Sequence, residues 1–123
     1  MVQVGQTPTG FRRVIPIVGG TVSGGLDGTV LPGGADWNVV LPDGSTELWA
    51  RYEIRLAGGA VVSVTNAALH PAGAEGPMLT RPSFEVGDDG PVWLRTGAFV
   101  GVLEPPAGEP SVRIEVHQLA VGG

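Results

Sequence analysis

Tyr52 is the only tyrosine of the chain. It lies in the run Glu47-Leu48-Trp49-Ala50-Arg51-Tyr52, which brings a phenol, a guanidinium and a carboxylate together on one short segment. A buried phenol needs a hydrogen-bond partner, and in a cavity a substrate carbonyl can serve. Arg51 could polarise the same carbonyl. Glu47 shares a strand face with it and could form a desolvated ion pair, stable only if well hydrogen-bonded. Tyr52, Arg51 and Glu47 are the candidate catalytic residues. A structural reading stands beside this one, with Tyr52 a core residue and Glu47, Trp49 and Arg51 a solvated face whose indole meets a second subunit.

Asp36-Trp37 follows the tight Pro32-Gly33-Gly34 turn. A carboxylate beside an indole at a rim could orient a ligand and cover its apolar face; equally, Asp36 could cap turn amides while Trp37 fills the core. Trp93, Arg95, Gly97 and Phe99 alternate onto one strand face, where glycine leaves room for a guest to approach. Asp36, Trp37, Trp93, Arg95 and Phe99 are thus candidate ligand-binding residues, with tight packing the competing role.

Other chemistries find little support. His70 and His117 are the two histidines; Glu115 and His117 share a face, but two ligands are too few for a metal centre, and no metal is expected. Cysteine is absent, which removes disulfides, thiolate sites and cysteine nucleophiles. Ser23 and Ser45 lack the Gly-x-Ser-x-Gly elbow, and Gly19-Gly20 and Gly24-Gly25 lack the Gly-Lys-Ser/Thr ending of a phosphate loop. Net charge is −5 with no lysine, which argues against nucleic acid and against anionic membranes. No apolar run reaches the ~20 residues of a spanning helix. The first residues show no basic-then-apolar leader, so a cytoplasmic location is the expectation.

The elements that must position these residues are strands. The 123 residues suit a single domain, 1–123, and the 21 glycines and 11 prolines leave little room for helices. Turn signals recur at Gly19-Gly20, Gly24-Gly25, Pro32-Gly33-Gly34, Pro42-Asp43-Gly44, Gly58-Gly59, Pro71-Ala72-Gly73, Asp88-Asp89-Gly90 and Pro105-Pro106. Between them the spacing predicts strands near 11–18, 20–23, 27–31, 36–41, 46–57, 60–66, 82–86, 91–102 and 111–119. The clearest is 47–56, with Leu48, Ala50, Tyr52, Ile54 and Leu56 on one face and Glu47, Trp49, Arg51, Glu53 and Arg55 on the other. Gly58-Gly59 predicts a hairpin into 60–66. Segment 91–102 is apolar on both faces and reads as a central strand, or as one whose outer face meets another subunit. Residues 67–81 read as a Pro-rich loop with at most one helical turn. The expected fold is all-β, a single antiparallel barrel of about eight to nine short strands.

The run Gly28-Thr29-Val30-Leu31-Pro32-Gly33-Gly34-Ala35-Asp36-Trp37, preceded by Phe11 to Thr21, resembles the domain-of-unknown-function family three-two-three-seven. Its bacterial and fungal members are small antiparallel β-barrels. Further matches are Glu47-Leu48, Ala50-Arg51-Tyr52, the hairpin after Gly59, Asn66, and Val92-Trp93-Leu94 continuing to Phe99-Val100-Gly101. The resemblance spans roughly residues 10–116 and implies a barrel of general lipocalin or allene-oxide-cyclase shape. Through it Asn66 joins the ligand-binding candidates. The chain departs from the family in a shorter N-terminal strand, a shorter loop before Arg81-Pro82, and Arg95 where asparagine is usual.

The functional expectation is an apolar small-molecule barrel without cofactor. In catalytic form it would be a cyclase or isomerase that shapes a polyketide-like substrate by positioning alone, worth roughly 7–11 kcal/mol. The alternative is a non-catalytic module that forms a homodimer through an outward Trp49.

Overall fold

The computed structural model describes residues 1–104 and 112–120, so the Pro105-Pro106 turn lies outside the described residues. The chain runs β1 (Val2–Gln6), β2 (Phe11–Ile17), β3 (Gly20–Val22), β4 (Gly28–Val30), β5 (Gly34–Val40), β6 (Thr46–Leu56), β7 (Val61–His70), β8 (Met78–Val86), a 3₁₀ turn (Val92–Arg95), β9 (Ala98–Glu104) and β10 (Arg113–Leu119). The fold is all-β, as the turn spacing predicts.

All pairings are antiparallel, in the order β1-β2-β5-β6-β7-β8-β9-β10. The β3–β4 hairpin extends the β2–β5 pair, so that β5 borders the first half of β6 and β4 its second half. The sheet curls until residues of β2 and of β10 line one cavity. Among the described residues its outer strands, β1 and β10, do not pair with each other, so the barrel-like sheet is left unclosed.

Side-chain alternation decides what faces inward. The pairs Ile54–Val62–Val86 and Tyr52–Val64–Phe84 run across β6, β7 and β8 on the concave face. Ile54, Val62, Val64, Val86 and Leu94 form the buried cluster at one end of the barrel. Each such aliphatic contributes roughly 1.5–3 kcal/mol through burial. The β6–β7 turn is built as expected, with Gly59 at φ +100° and Leu56 N–H donating to Ala60 O at 2.8 Å.

Three segments differ from the sequence reading. Residues 2–6 pair with β2 and form an additional strand. The stretch 67–81 is largely strand: β7 continues to His70 and β8 begins at Met78, with the turn confined between them. Pro82 is tolerated in β8 because it pairs with Asn66 of β7 beyond Thr80, where the β9 ladder has ended. Segment 91–102 is not one strand. Pro91 opens a 3₁₀ turn closed by Leu94 N–H to Pro91 O at 3.0 Å, and Leu94 rather than Trp93 is buried.

Candidate functional site

The concave face lines an open cavity of about 1420 Å³. Above the apolar end lies a row that reads Asp36, Ala50, Asn66 and Pro82 across β5, β6, β7 and β8. Ala50 is the small residue of this row. Asp36 and Asn66 stand directly opposite it on either side, and Tyr52 is the next inward residue along β6. These three polar side chains therefore surround a dent floored by the Ala50 methyl.

Asp36 is half-buried, and its Oδ1 accepts the Trp49 backbone N–H at 3.0 Å. Burial raises its pKa above the ordinary aspartate value, against the lowering effects of the Trp49 N–H, Asn38 and the Arg13 charge. Arg13 and Asn38 face each other across β2 and β5; Arg13 Nε and Nη2 donate to Asn38 Oδ1 at 3.2 and 2.6 Å. Burial also raises the pKa of Tyr52, which keeps its hydroxyl a donor. Among the described residues that hydroxyl has no partner.

Asn66 is 6% exposed, and its Oδ1 is buried without a partner. With Oδ1 turned to the wall, Nδ2 is the amide atom left to the cavity. Thr80 is 2% exposed and its Oγ1 is likewise buried and unpartnered, set against the bare backbone of Gly101. Such atoms are rare because each costs about 1–3 kcal/mol.

Two aromatic candidates, Phe99 and with it Trp93, gather against the apolar cluster. Phe99 meets Phe84 edge-on at 5.0 Å between centroids, and Trp93 lies 6.2 Å from Phe99 and is 47% exposed. The space expected over Gly97 is taken by Phe99 itself, whose Cε2 lies 2.6 Å from where a Cβ would be.

Asp36, Tyr52, Asn66, Trp93 and Phe99 thus line one cavity. The other four candidates do not. Glu47 and Arg51 are exposed on the convex face because they alternate with the inward Leu48, Ala50 and Tyr52, and among the described residues no ion pair joins them. Trp37 points outward from Asp36's neighbouring position and packs on Trp49 at 5.6 Å. Arg95, the last residue of the 3₁₀ turn, reaches back to the end of β8, donating to Val86 O at 2.9 Å and Asp88 Oδ1 at 2.7 Å. Sequence reasoning missed Arg13, Asn38 and Thr80. Arg13 shares a face with Phe11, Ile15 and Ile17, a phase that could have revealed an inward arginine.

Glu115 and His117 approach to 3.8 Å, and no group of three or more metal-binding side chains occurs among the described residues. No helix among them is long and apolar enough to cross a membrane.

Residues 1–76 match the family described as "Protein of unknown function (DUF3237)". The UPF0311 protein of Rhodopseudomonas palustris strain TIE-1 is 39% identical over 94% of this chain and 84% of its own length. A crystal structure of a protein with unknown function from Clostridium acetobutylicum superposes with TM-score 0.85 at 31% identity, covering 97% of this chain and 89% of that one. A "beta-barrel like protein" from Acinetobacter baumannii shares the fold, with TM-score 0.82 at 24% identity over 96% of this chain and 85% of that one. Sequence and fold agree, and the chain belongs to the DUF3237 family of proteins of unknown function.

Proposed function

We propose that the barrel binds a small, largely apolar molecule whose one polar group seats over Ala50. The observation that carries this reading is the cavity of about 1420 Å³ in which Asp36, Tyr52 and Asn66 converge on that small residue. A hollow, mostly apolar interior with a few convergent polar groups is the usual form of a small-molecule site. The volume exceeds that of a typical drug-sized pocket, roughly 300–1,000 Å³, and so suits an extended guest. In its catalytic form the barrel is a cofactor-independent cyclase or isomerase, shaping a polyketide-like substrate against Trp93 and Phe99.

Titration with the neutral apolar dye N-phenyl-1-naphthylamine tests the reading. Saturable enhancement of dye fluorescence is expected, and Ala50→Leu, which fills the dent from within, abolishes it while the circular dichroism spectrum is retained. Equal dye binding by both proteins would exclude the site.

A second reading draws on the convex face, where Trp37 is 40%, Trp49 44% and Leu69 49% exposed. These residues border a groove of about 380 Å³ that also carries Glu47, Arg12 and Arg81. An apolar centre with both charge signs at its rim suits a two-fold contact between copies of the chain, Glu47 of each meeting an arginine of the other. Light scattering that gives a monomer mass at high concentration would remove this reading without touching the cavity.

A further inference from the structure

We propose that the Asp36–Tyr52–Asn66 triangle around Ala50 is a proton-transfer centre for an enolisable ketone, one that relocates a proton next to the carbonyl and with it a neighbouring carbon–carbon double bond. The proposal rests on the cavity reading above and names its substrate class.

The geometry follows from register. Asp36 and Asn66 are the lateral neighbours of Ala50, and Tyr52 lies two residues along the same strand. With strands about 4.8 Å apart, the three side chains spring from a patch roughly 10 Å across. Two of them present donors to the cavity, the Tyr52 hydroxyl and Asn66 Nδ2. The third presents an acceptor: the Asp36 carboxylate, which lines the cavity with its Oδ1 held by the Trp49 N–H. Two donors and one base around a single small residue match the needs of a carbonyl whose neighbouring carbon loses a proton. The donors hold the oxygen as negative charge develops on it, and the base receives the proton. An anionic guest would instead face the Asp36 charge, while the Arg13 guanidinium is engaged by Asn38.

With a β,γ-unsaturated ketone the step balances as follows. The Asp36 carboxylate takes the α-proton, and the C–H electron pair becomes the π bond between Cα and the carbonyl carbon, giving a dienolate. The carbonyl π pair moves to its oxygen, hydrogen-bonded by Tyr52 and Asn66. As the carbonyl reforms, the electrons return through the conjugated chain to the γ-carbon, which takes the proton back from the Asp36 carboxyl. The double bond has moved into conjugation, and no oxidant, reductant or second substrate is consumed.

The site lies among apolar and aromatic groups, which supports this role. Burial raises the proton affinity of Asp36, the direction a carboxylate needs if it is to accept a proton from carbon. Burial also keeps Tyr52 protonated, as a donor must be.

The test uses the full chain with 2-tetralone, an apolar ketone with exchangeable α-protons, in deuterated buffer. Proton nuclear magnetic resonance follows α-proton exchange, and displacement of N-phenyl-1-naphthylamine reports occupancy. The expected result is exchange faster than in buffer alone. Asp36→Asn should retain displacement and lose roughly 10²–10⁴-fold of the acceleration. Tyr52→Phe, which removes one of the two donors to the ketone oxygen, should weaken displacement and lose part of the acceleration. If 2-tetralone displaces the dye but wild-type exchange matches Asp36→Asn, the proton-transfer proposal falls and the binding reading stands. If the dye binds and 2-tetralone does not displace it, the ketone class is wrong. If neither binds, both readings fall.

Discussion

Thr80 gives the sharpest quantitative test of the interior. Its Oγ1 is buried and unpartnered, while its β-branched body packs between β7 and Gly101 of β9. Thr80→Val replaces the hydroxyl by a methyl group of nearly the same shape. Leaving a hydroxyl buried without a partner costs about 1–3 kcal/mol, so removing it should stabilise the fold by that amount. For a chain of 123 residues, each kcal/mol corresponds to roughly 3–5 °C, placing the expected rise in Tm at about 3–15 °C. Urea unfolding should show a higher midpoint with an unchanged slope, as for a change in stability that leaves the exposed surface alone. Thr80→Ser provides the contrast, keeping the orphan oxygen and losing a buried methyl; it should be destabilised by about 1 kcal/mol. Because Oγ1 is itself buried, dye binding should be unaffected in either variant. A Thr80→Val midpoint at or below wild type would mean that the hydroxyl is satisfied in solution, and the account of this inner wall would be refuted.

The remaining predictions concern the same face. Gly34→Ala should lower the urea midpoint by an amount equivalent to about 1–3 kcal/mol, because a Cβ there would overlap Arg51 O and lie 2.6 Å from Tyr52 Cβ. Asp36→Asn keeps an oxygen for the Trp49 N–H and removes the charge that burial opposes. Since the folded-state pKa of Asp36 is raised, its stabilising effect is complete below the ordinary value of 3.8 and is lost as pH rises through the folded value. The variant lacks this loss, so its stability advantage over wild type should grow with pH; urea midpoints at several values between roughly pH 3 and 7 check the sign. An advantage that shrank with rising pH would show that Arg13 and the Trp49 N–H outweigh burial.

Legibility from sequence followed the strength of alternation. On β6 the two faces are chemically distinct, and both the strand and its turn could be read directly. On β2 and β5 the inward residues include Arg13, Asp36 and Asn38, while the outward ones include Val14, Trp37 and the fully buried Val39. There polarity contradicts direction, and only pairing with Ala50 reveals which face is concave. Glu47 and Arg51 were grouped with Tyr52 through nearness in sequence, although a period of two separates them by the thickness of the sheet. Pro71, Pro77 and Pro82 masked the length of β7 and β8, because a proline's tolerance depends on whether a neighbouring ladder still runs beside it. In segment 91–102, strand-like composition lost to Pro91 and to the Arg95 bonds that hold a turn. Thr80 could not be recognised as buried while its segment read as loop.

The site lies where the β5–β6 seam is least regular. The ladder holds at Ala35–Arg51 and Asp36–Ala50, is interrupted across Trp37 and Asn38, and resumes at Val39–Glu47. On the other side of Gly34 the chain steps from β4 to β5, with Leu31 N–H reaching Glu53 O at 2.8 Å to bridge the gap. An interrupted ladder strands backbone donors, and one of them, the Trp49 N–H, is satisfied by Asp36 itself. The same bond therefore repairs the sheet and fixes the carboxylate's direction on the cavity wall. Regular pairing at Trp37–Trp49 would free Asp36 Oδ1 and the side chain with it. The irregularity is what holds a charged group at a set orientation on a mostly apolar wall, which links the imperfect ladder to the chemistry proposed for it.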